Sequence, residues 1–162
     1  MTAGFLGSRL ARDFVDFIDV LNAHRVQFVL VGGYALGVHG HVRATADIDF
    51  LYRCTEDNVS QLCRALEAFG APPSIIDARA LLSPNTVTFF GVPPLRIDLL
   101  ASISGVTTDH VFASALTTTV GSQTLLVIGR EALLANKKAS GRDKYRRDVR
   151  AIEMATRSRK RR

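Results

Sequence analysis

The sequence predicts an α/β (α+β) domain in which a small, mixed, strongly twisted sheet is flanked by helices, expected on one side of it. Three observations carry that expectation. Short apolar runs of strand length alternate with segments whose apolar residues recur at helical spacing. The run Asp47 to Tyr52 passes directly into a well-capped helical segment, as a strand-helix crossover does. Residues 86 to 100 read as a hairpin, two extended arms around Gly91-Val92-Pro93-Pro94. The chain has 162 residues and shows no repeat or interdomain linker, so one domain is expected over 1–156, with 157–162 as a basic, disordered tail.

In chain order, residues 1–8 read as a flexible lead. Leu10, Phe14, Phe17 and Leu21 then recur at helical spacing with Asp13, Asp16 and Asp19 between them, which predicts an amphipathic helix ending near Asn22. Gln27 to Val31 is apolar on both faces, as in a central strand. Tyr34 to Gly40 suits a short helix, and His39 and His41, in a Gly-rich connection, read as loop polarity. Thr55 is a good N-cap, followed by Glu56 and Asp57 and by Val59, Leu62, Cys63, Leu66 and Phe69 on one face, until Gly70 stops the helix. A short helix is expected around Ala78 to Leu82. In the second arm of the hairpin, Leu95, Ile97 and Leu99 face the core and Arg96 and Asp98 the other side. Residues 102–128 are less legible, with short strands at Ala115 to Val120 and Gln123 to Ile128. The Thr117-Thr118-Thr119 run suits an edge. Helices follow at Arg130 to Ala139 and Lys144 to Thr156; on the second, Tyr145, Val149 and Ile152 form the apolar stripe, and Lys144 and Asp148 are spaced to pair.

The chemistry concentrates between Val31 and Phe50. Gly32-Gly33 ends a strand and opens a helix, where unpaired backbone N–H groups collect anions and the lack of a Cβ lets a phosphate approach. In Asp47-Ile48-Asp49, strand alternation sends both carboxylates to one face, about 7 Å apart at the backbone. Like charges so placed call for a cation, and hard oxygen ligands suit Mg²⁺. Alone, the glycine pair reads as a turn and the Asp-x-Asp as a solvated strand end; in this order they point to a nucleoside triphosphate carrying Mg²⁺.

Gly32-Gly33 followed by Arg43-x-Thr45-x-Asp47-Ile48-Asp49 resembles the signature of the nucleotidyltransferase superfamily of DNA polymerase β type, and within it the small prokaryotic members that include abortive-infection and toxin-antitoxin toxins. The resemblance covers residues 26–150. It implies a nucleotidyltransferase fold, and a third acid on a later strand, which Asp98 supplies. It also implies a basic residue near phosphate within Asn136 to Val149, where Lys137 and Lys138 stand. Arg43 and Thr45 take supporting roles, Arg43 near phosphate or a carboxylate and Thr45 bonding the turn. Two departures stand out: many members have Gly-Ser where this chain has Gly32-Gly33, and Tyr145 occupies a position that is often acidic.

The implied activity is transfer of a nucleoside monophosphate from a triphosphate to an acceptor hydroxyl. Asp47, Asp49 and Asp98 would hold two Mg²⁺ ions, Asp98 would help deprotonate the hydroxyl, and Gly32, Gly33, Arg43, Thr45, Lys137 and Lys138 would bind the nucleotide. The acceptor is left open among RNA or tRNA, a protein side chain and a small molecule; an antitoxin partner or a homodimer could complete the cleft. The alternative is a catalytically silent nucleotide- or RNA-binding protein acting by occupancy. Arg96 could also simply pair with Asp98.

Composition narrows the setting. With 47% hydrophobic and 22% charged residues the chain reads as globular. It has no apolar run approaching the roughly 20 residues of a membrane span and no charged-then-apolar leader, so no membrane partner and a cytoplasmic location are expected. Cys54 and Cys63 have no partners at metal-ligand spacing and read as packing residues. The net charge of +6 is a C-terminal property: residues 137–162 carry twelve Lys and Arg against three acids, a net of +9, and the rest is at −3. A polyanion such as RNA would explain that cluster, as would a solvated end.

Overall fold

The computed structural model describes residues 10–141 and 143–161, and the side chains of these except 143–145. The lead at 1–8, the end at Arg162 and the contacts expected of Lys144 and Tyr145 lie outside the described residues. The elements are α1 (Arg12–Ala23), β1 (Phe28–Val31), α2 (Gly32–Val38), β2 (Asp47–Tyr52), α3 (Glu56–Phe69), a 3-10 turn (Pro73–Ile75), α4 (Ala78–Leu81), β3 (Val87–Phe90), β4 (Arg96–Leu100), α5 (Thr108–Ser114), β5 (Leu116–Val120), β6 (Gln123–Val127), α6 (Arg130–Ser140) and α7 (Asp143–Lys160).

The six strands form one mixed sheet in the order β3-β4-β2-β1-β6-β5. The pairs β2–β4 and β1–β6 are parallel, and the other three are antiparallel. Register divides the side chains between two faces. Phe28 and Leu30 oppose Tyr52 and Phe50, and on that face Phe17 of α1 packs against Phe50 at 5.9 Å and against Phe69 of α3 at 4.9 Å. Val29, Val31, Asp47, Asp49 and Leu51 share the opposite face, joined through the β2–β4 register by Asp98 and Leu100.

That second face is covered as well. Arg53, just past β2, pairs with Asp109 of α5 at 2.7 Å and stacks over the Phe112 ring at 4.2 Å, and α6 lies against the end where Asp49 and Leu100 emerge. Helices therefore flank both faces of the sheet rather than one. The reason is in β1, all four residues of which are buried: a strand apolar on both sides needs a cover on each.

Local signals place most elements. α1 buries Phe14, Phe17, Ile18 and Leu21. The Thr55 hydroxyl accepts from the Asn58 N–H, and Gly70 ends α3 in the left-handed region at φ 85°. Asn58 is buried and ties two strands together: its amide donates to the Gln27 and Arg53 carbonyls at 3.0 and 2.8 Å and accepts from the Gln27 N–H at 2.7 Å. β5 is an edge strand with Thr117 and Thr119 exposed. Cys54 and Cys63 are free and pack against the core, with the Cys54 thiol donating to the Leu82 carbonyl at 3.2 Å.

Three features differ from expectation. α5 forms in the stretch that was hard to read. His39 is buried rather than loop polarity, its Nε2 lying 2.7 Å from the Ile128 carbonyl, so that it ties the end of α2 to the entry of α6. The basic run from 157 continues α7 as far as Lys160. Arg and Lys are good helix formers, no Gly or Pro interrupts them, and cations at a helix C-terminus meet a favourable dipole. Among the described residues no helix is long and apolar enough to cross a membrane.

Candidate active site

The ends of β2 and β4 bring three carboxylates together. Asp49 faces Asp98 directly across the parallel β2–β4 pair, and Asp47 stands two residues before Asp49 on the same face. One carboxylate oxygen from each lies within 4.8 Å of the others. Each acid is fixed by its surroundings. The Thr45 hydroxyl reaches the Asp47 backbone oxygen at 3.0 Å and its Oδ1 at 3.3 Å. Asp98 is buried and takes a paired contact from Arg96, Nε to Oδ1 at 2.7 Å and Nη2 to Oδ2 at 3.2 Å, while the guanidinium lies over the Phe89 ring at 4.2 Å.

Asp49 sits deepest in the electrostatic sense. Burial, reinforced by the neighbouring charges of Asp47 and Asp98, pushes its carboxyl up to about 7, against partial relief from Lys137 and Arg96. Burial and the nearby Asp47 likewise raise the Tyr34 phenol. Such a cluster carries more negative charge than its own cations balance. The donor set, hard oxygens at close range, fits a divalent metal ion such as Mg²⁺.

The glycine turn presses on this cluster. Gly32 has φ 71°, and a Cβ there would lie 2.8 Å from Asp49 Cγ and collide with Oδ2. Only glycine fits both the backbone and the approach. A Cβ already made on Gly33 would meet the Thr45 side chain, 3.1 Å from Oγ1, so the turn and the Thr45 support pack as one unit.

A cleft of about 660 Å³ opens beside Asp49, lined among others by Gly32, Leu100, Asn136, Lys137 and Ser140. Lys137 is buried, and burial lowers the pKa of its ammonium while Asp148 works against that shift. Asp148 of α7 is the feature that sequence reading missed. Its Oδ2 receives both Lys137 Nζ and Arg43 Nη2 at 3.3 Å, joining α6, α7 and the loop before β2. Its spacing to Lys144 pointed to a local partner, and no pattern along the chain signals the long-range one.

Of the residues expected at the site, the structure brings together Gly32, Gly33, Thr45, Asp47, Asp49, Asp98 and Lys137. Arg43 meets Asp148, one step removed from the acids. Lys138 turns away: it pairs with Glu153 of α7 at 2.9 Å and does not line the cleft beside Asp49. It is the next residue after Lys137, about 100° further around the helix axis.

The sequence matches no family model and no curated protein. Among solved structures, the fold is similar to the lincosamide antibiotic adenylyltransferase LnuA in its lincomycin-bound crystal structure, with a TM-score of 0.54 and 12% identity over 89% of this chain and 96% of that one. A likeness at that identity speaks for architecture, and with the mixed six-stranded sheet and its flanking helices it shows that this chain has a nucleotidyltransferase fold.

Proposed function

We propose that the protein is a metal-dependent nucleotidyltransferase that moves a nucleoside monophosphate from a nucleoside triphosphate to an acceptor hydroxyl. The observation that carries this reading is the convergence of Asp47, Asp49 and Asp98 beside a glycine turn and a lysine-lined cleft. The acids are the ligands for divalent metal, two Mg²⁺ ions in the fullest form, which would supply charge neutralisation at the α-phosphate and the leaving pyrophosphate.

The chain's own groups do the rest. Gly32 and Gly33 bring the backbone close to the triphosphate, and Lys137 places a buried cation along the same cleft. Asp98, oriented by Arg96, takes the proton of the acceptor hydroxyl. The acceptor oxygen bonds to the α-phosphorus as the bond to the bridging oxygen of the β-phosphate breaks, releasing pyrophosphate. Thr45 fixes Asp47. Arg43 acts through Asp148 by helping to hold Lys137 in place, and Lys138 is left with a surface role. One compact unit over 1–156, working in the cytoplasm where nucleoside triphosphates are made, accommodates this chemistry.

The structurally similar LnuA is an antibiotic adenylyltransferase solved with lincomycin bound, so small-molecule hydroxyls belong among the acceptors to be tried, beside RNA and protein. A toxin held by an antitoxin partner is the biological form this activity would take if the acceptor is a cellular RNA or protein. A second reading, a silent nucleotide-binding protein, draws on one observation: Arg96 already occupies both oxygens of Asp98.

The test is transfer of α-labelled nucleotide, each of the four triphosphates in turn with Mg²⁺, into total RNA, protein and a panel of small hydroxyl compounds. Label that requires Asp47 and Asp49 supports transfer, and its location identifies the acceptor. Metal-dependent nucleotide binding with no transfer favours the silent form, and absence of binding as well overturns both.

A further inference from the structure

The outward side of α7 carries a row of arginines that the proposed chemistry does not use. Arg147, Arg150, Met154, Arg157 and, just past the helix end, Arg161 recur at alternating intervals of three and four residues, which keeps them on one line along a helix. All five are exposed, whereas Asp148 and Ile152 on the other side are buried. The acids of the described part of this helix that could neutralise the row are engaged elsewhere: Asp148 with Lys137 and Arg43, Glu153 with Lys138.

We propose that this row is a docking rail for the phosphate backbone of RNA, and that it leads an RNA end to the carboxylate site as the acceptor. From Arg147 to Arg157 it spans about 15 Å at 1.5 Å per residue, comparable to several phosphates of one strand at about 3.4 Å of axis each. Every cation in the row is a guanidinium, whose fork of donors suits phosphate oxygens. The row starts one residue before Asp148, and Asp148's partner Lys137 lines the cleft next to Asp49, so the N-terminal end of the row is the end of α7 tied to the acid site. An anionic membrane fits less well, because Ile152 on the apolar side of the helix is already buried in the core and, among the described residues of the helix, only Met154 is a large exposed apolar side chain. The acceptor role rests on the transferase reading; docking does not.

The experiment is fluorescence anisotropy of a labelled 12-nucleotide RNA with the whole protein across a salt series, in parallel with flotation on vesicles containing phosphatidylserine. The variant replaces Arg147, Arg150, Arg157 and Arg161 with Gln, with retention of fold checked by circular dichroism. Arg64→Gln/Arg79→Gln, which removes two exposed arginines of α3 and α4, serves as the charge control. We expect the α7 variant to bind RNA at least 100-fold more weakly at 100 mM salt, with the slope of log K against log salt reduced by about 3, and the control to stay within about threefold. Asp47→Ala/Asp49→Ala should bind RNA as the wild type does while losing transfer, which separates docking from chemistry. Equal losses in the control and the α7 variant, an unchanged salt slope, or binding to vesicles in place of RNA would each overturn the rail. Binding that survives without label transfer to RNA would overturn the acceptor role alone.

Discussion

Asp49 and Asp148 are both carboxylates drawn into the protein, and they are treated in opposite ways. Asp148 sits between Lys137 and Arg43, each at 3.3 Å, and three segments of chain are joined through it. Asp49 is set among two further carboxylates, so that its own proton is held up to about 7. A fold selected for stability alone would pair the second cluster as it pairs the first. The difference is one of charge balance: the acid end of the sheet is short of positive charge, and the α6–α7 junction is not.

The largest effect that would break this contrast lies in activity. Replacing Asp47 and Asp49 with Asn should lower nucleotide transfer at least 10³-fold, because ligands and charge are lost together; a loss under tenfold in the labelled-nucleotide assay would remove the acids from the chemistry. Next comes stability. Asp148→Ala removes the buried carboxylate shared by Lys137 and Arg43 and should cost about 3 kcal/mol in urea unfolding. Asp49→Asn, which removes like-charge repulsion, should stabilise the metal-free protein at pH 8. If both variants lose stability equally, the two sites are not opposites.

Acidity sharpens the same point. The folded-state pKa of Asp49 is raised from 3.8 to about 7, so between those values the folded protein holds a proton that the unfolded chain has released. Its stabilising contribution is therefore full below about pH 4 and declines until the pH passes 7. The melting temperature of the wild type in EDTA, relative to Asp49→Asn, should fall across that window. Added Mg²⁺ should raise it more at pH 8 than at pH 5, since at low pH metal must displace the proton.

Smaller still is Gly32→Ala, expected to cost about 1 to 2 kcal/mol from the left-handed backbone and the crowding of Asp49, with loss of metal binding out of proportion to that cost in a calorimetric titration. Lys138→Gln should change stability by no more than about 0.5 kcal/mol, as befits an exposed pair. It should leave transfer rates unaltered.

What could be read without the structure was whatever depends on near neighbours. The period of Phe14, Phe17 and Leu21, the Thr55 cap and the Gly70 stop are local and gave α1 and α3 with their ends. Strand parity put Asp98 on the same side as Arg96 and left only adjacency to be found, which the β2–β4 register provides. What could not be read depends on elements meeting across the fold. α5 buries only Val111, too little for an apolar stripe, and His39 looks like a polar loop residue until the Ile128 carbonyl is placed above it. Lys137 and Lys138 are adjacent and alike in sequence, and only the position of α7 separates one that lines the cleft from one that meets Glu153. The single covering face expected for the sheet failed for the same reason, since Arg53 and Phe112 reveal their contact only in space.

The register of Asp49 against Asp98 also sets an order of events during synthesis. A ribosome delivers the glycine turn and two acids early, the third acid only with β4, and Lys137 and Asp148 only with the last two helices. A nascent or truncated chain that stops before Arg96 holds Asp47 and Asp49 without Asp98. The three-acid cluster is thus complete only once β4 has been made, and its Lys137–Asp148 support only once α6 and α7 have followed.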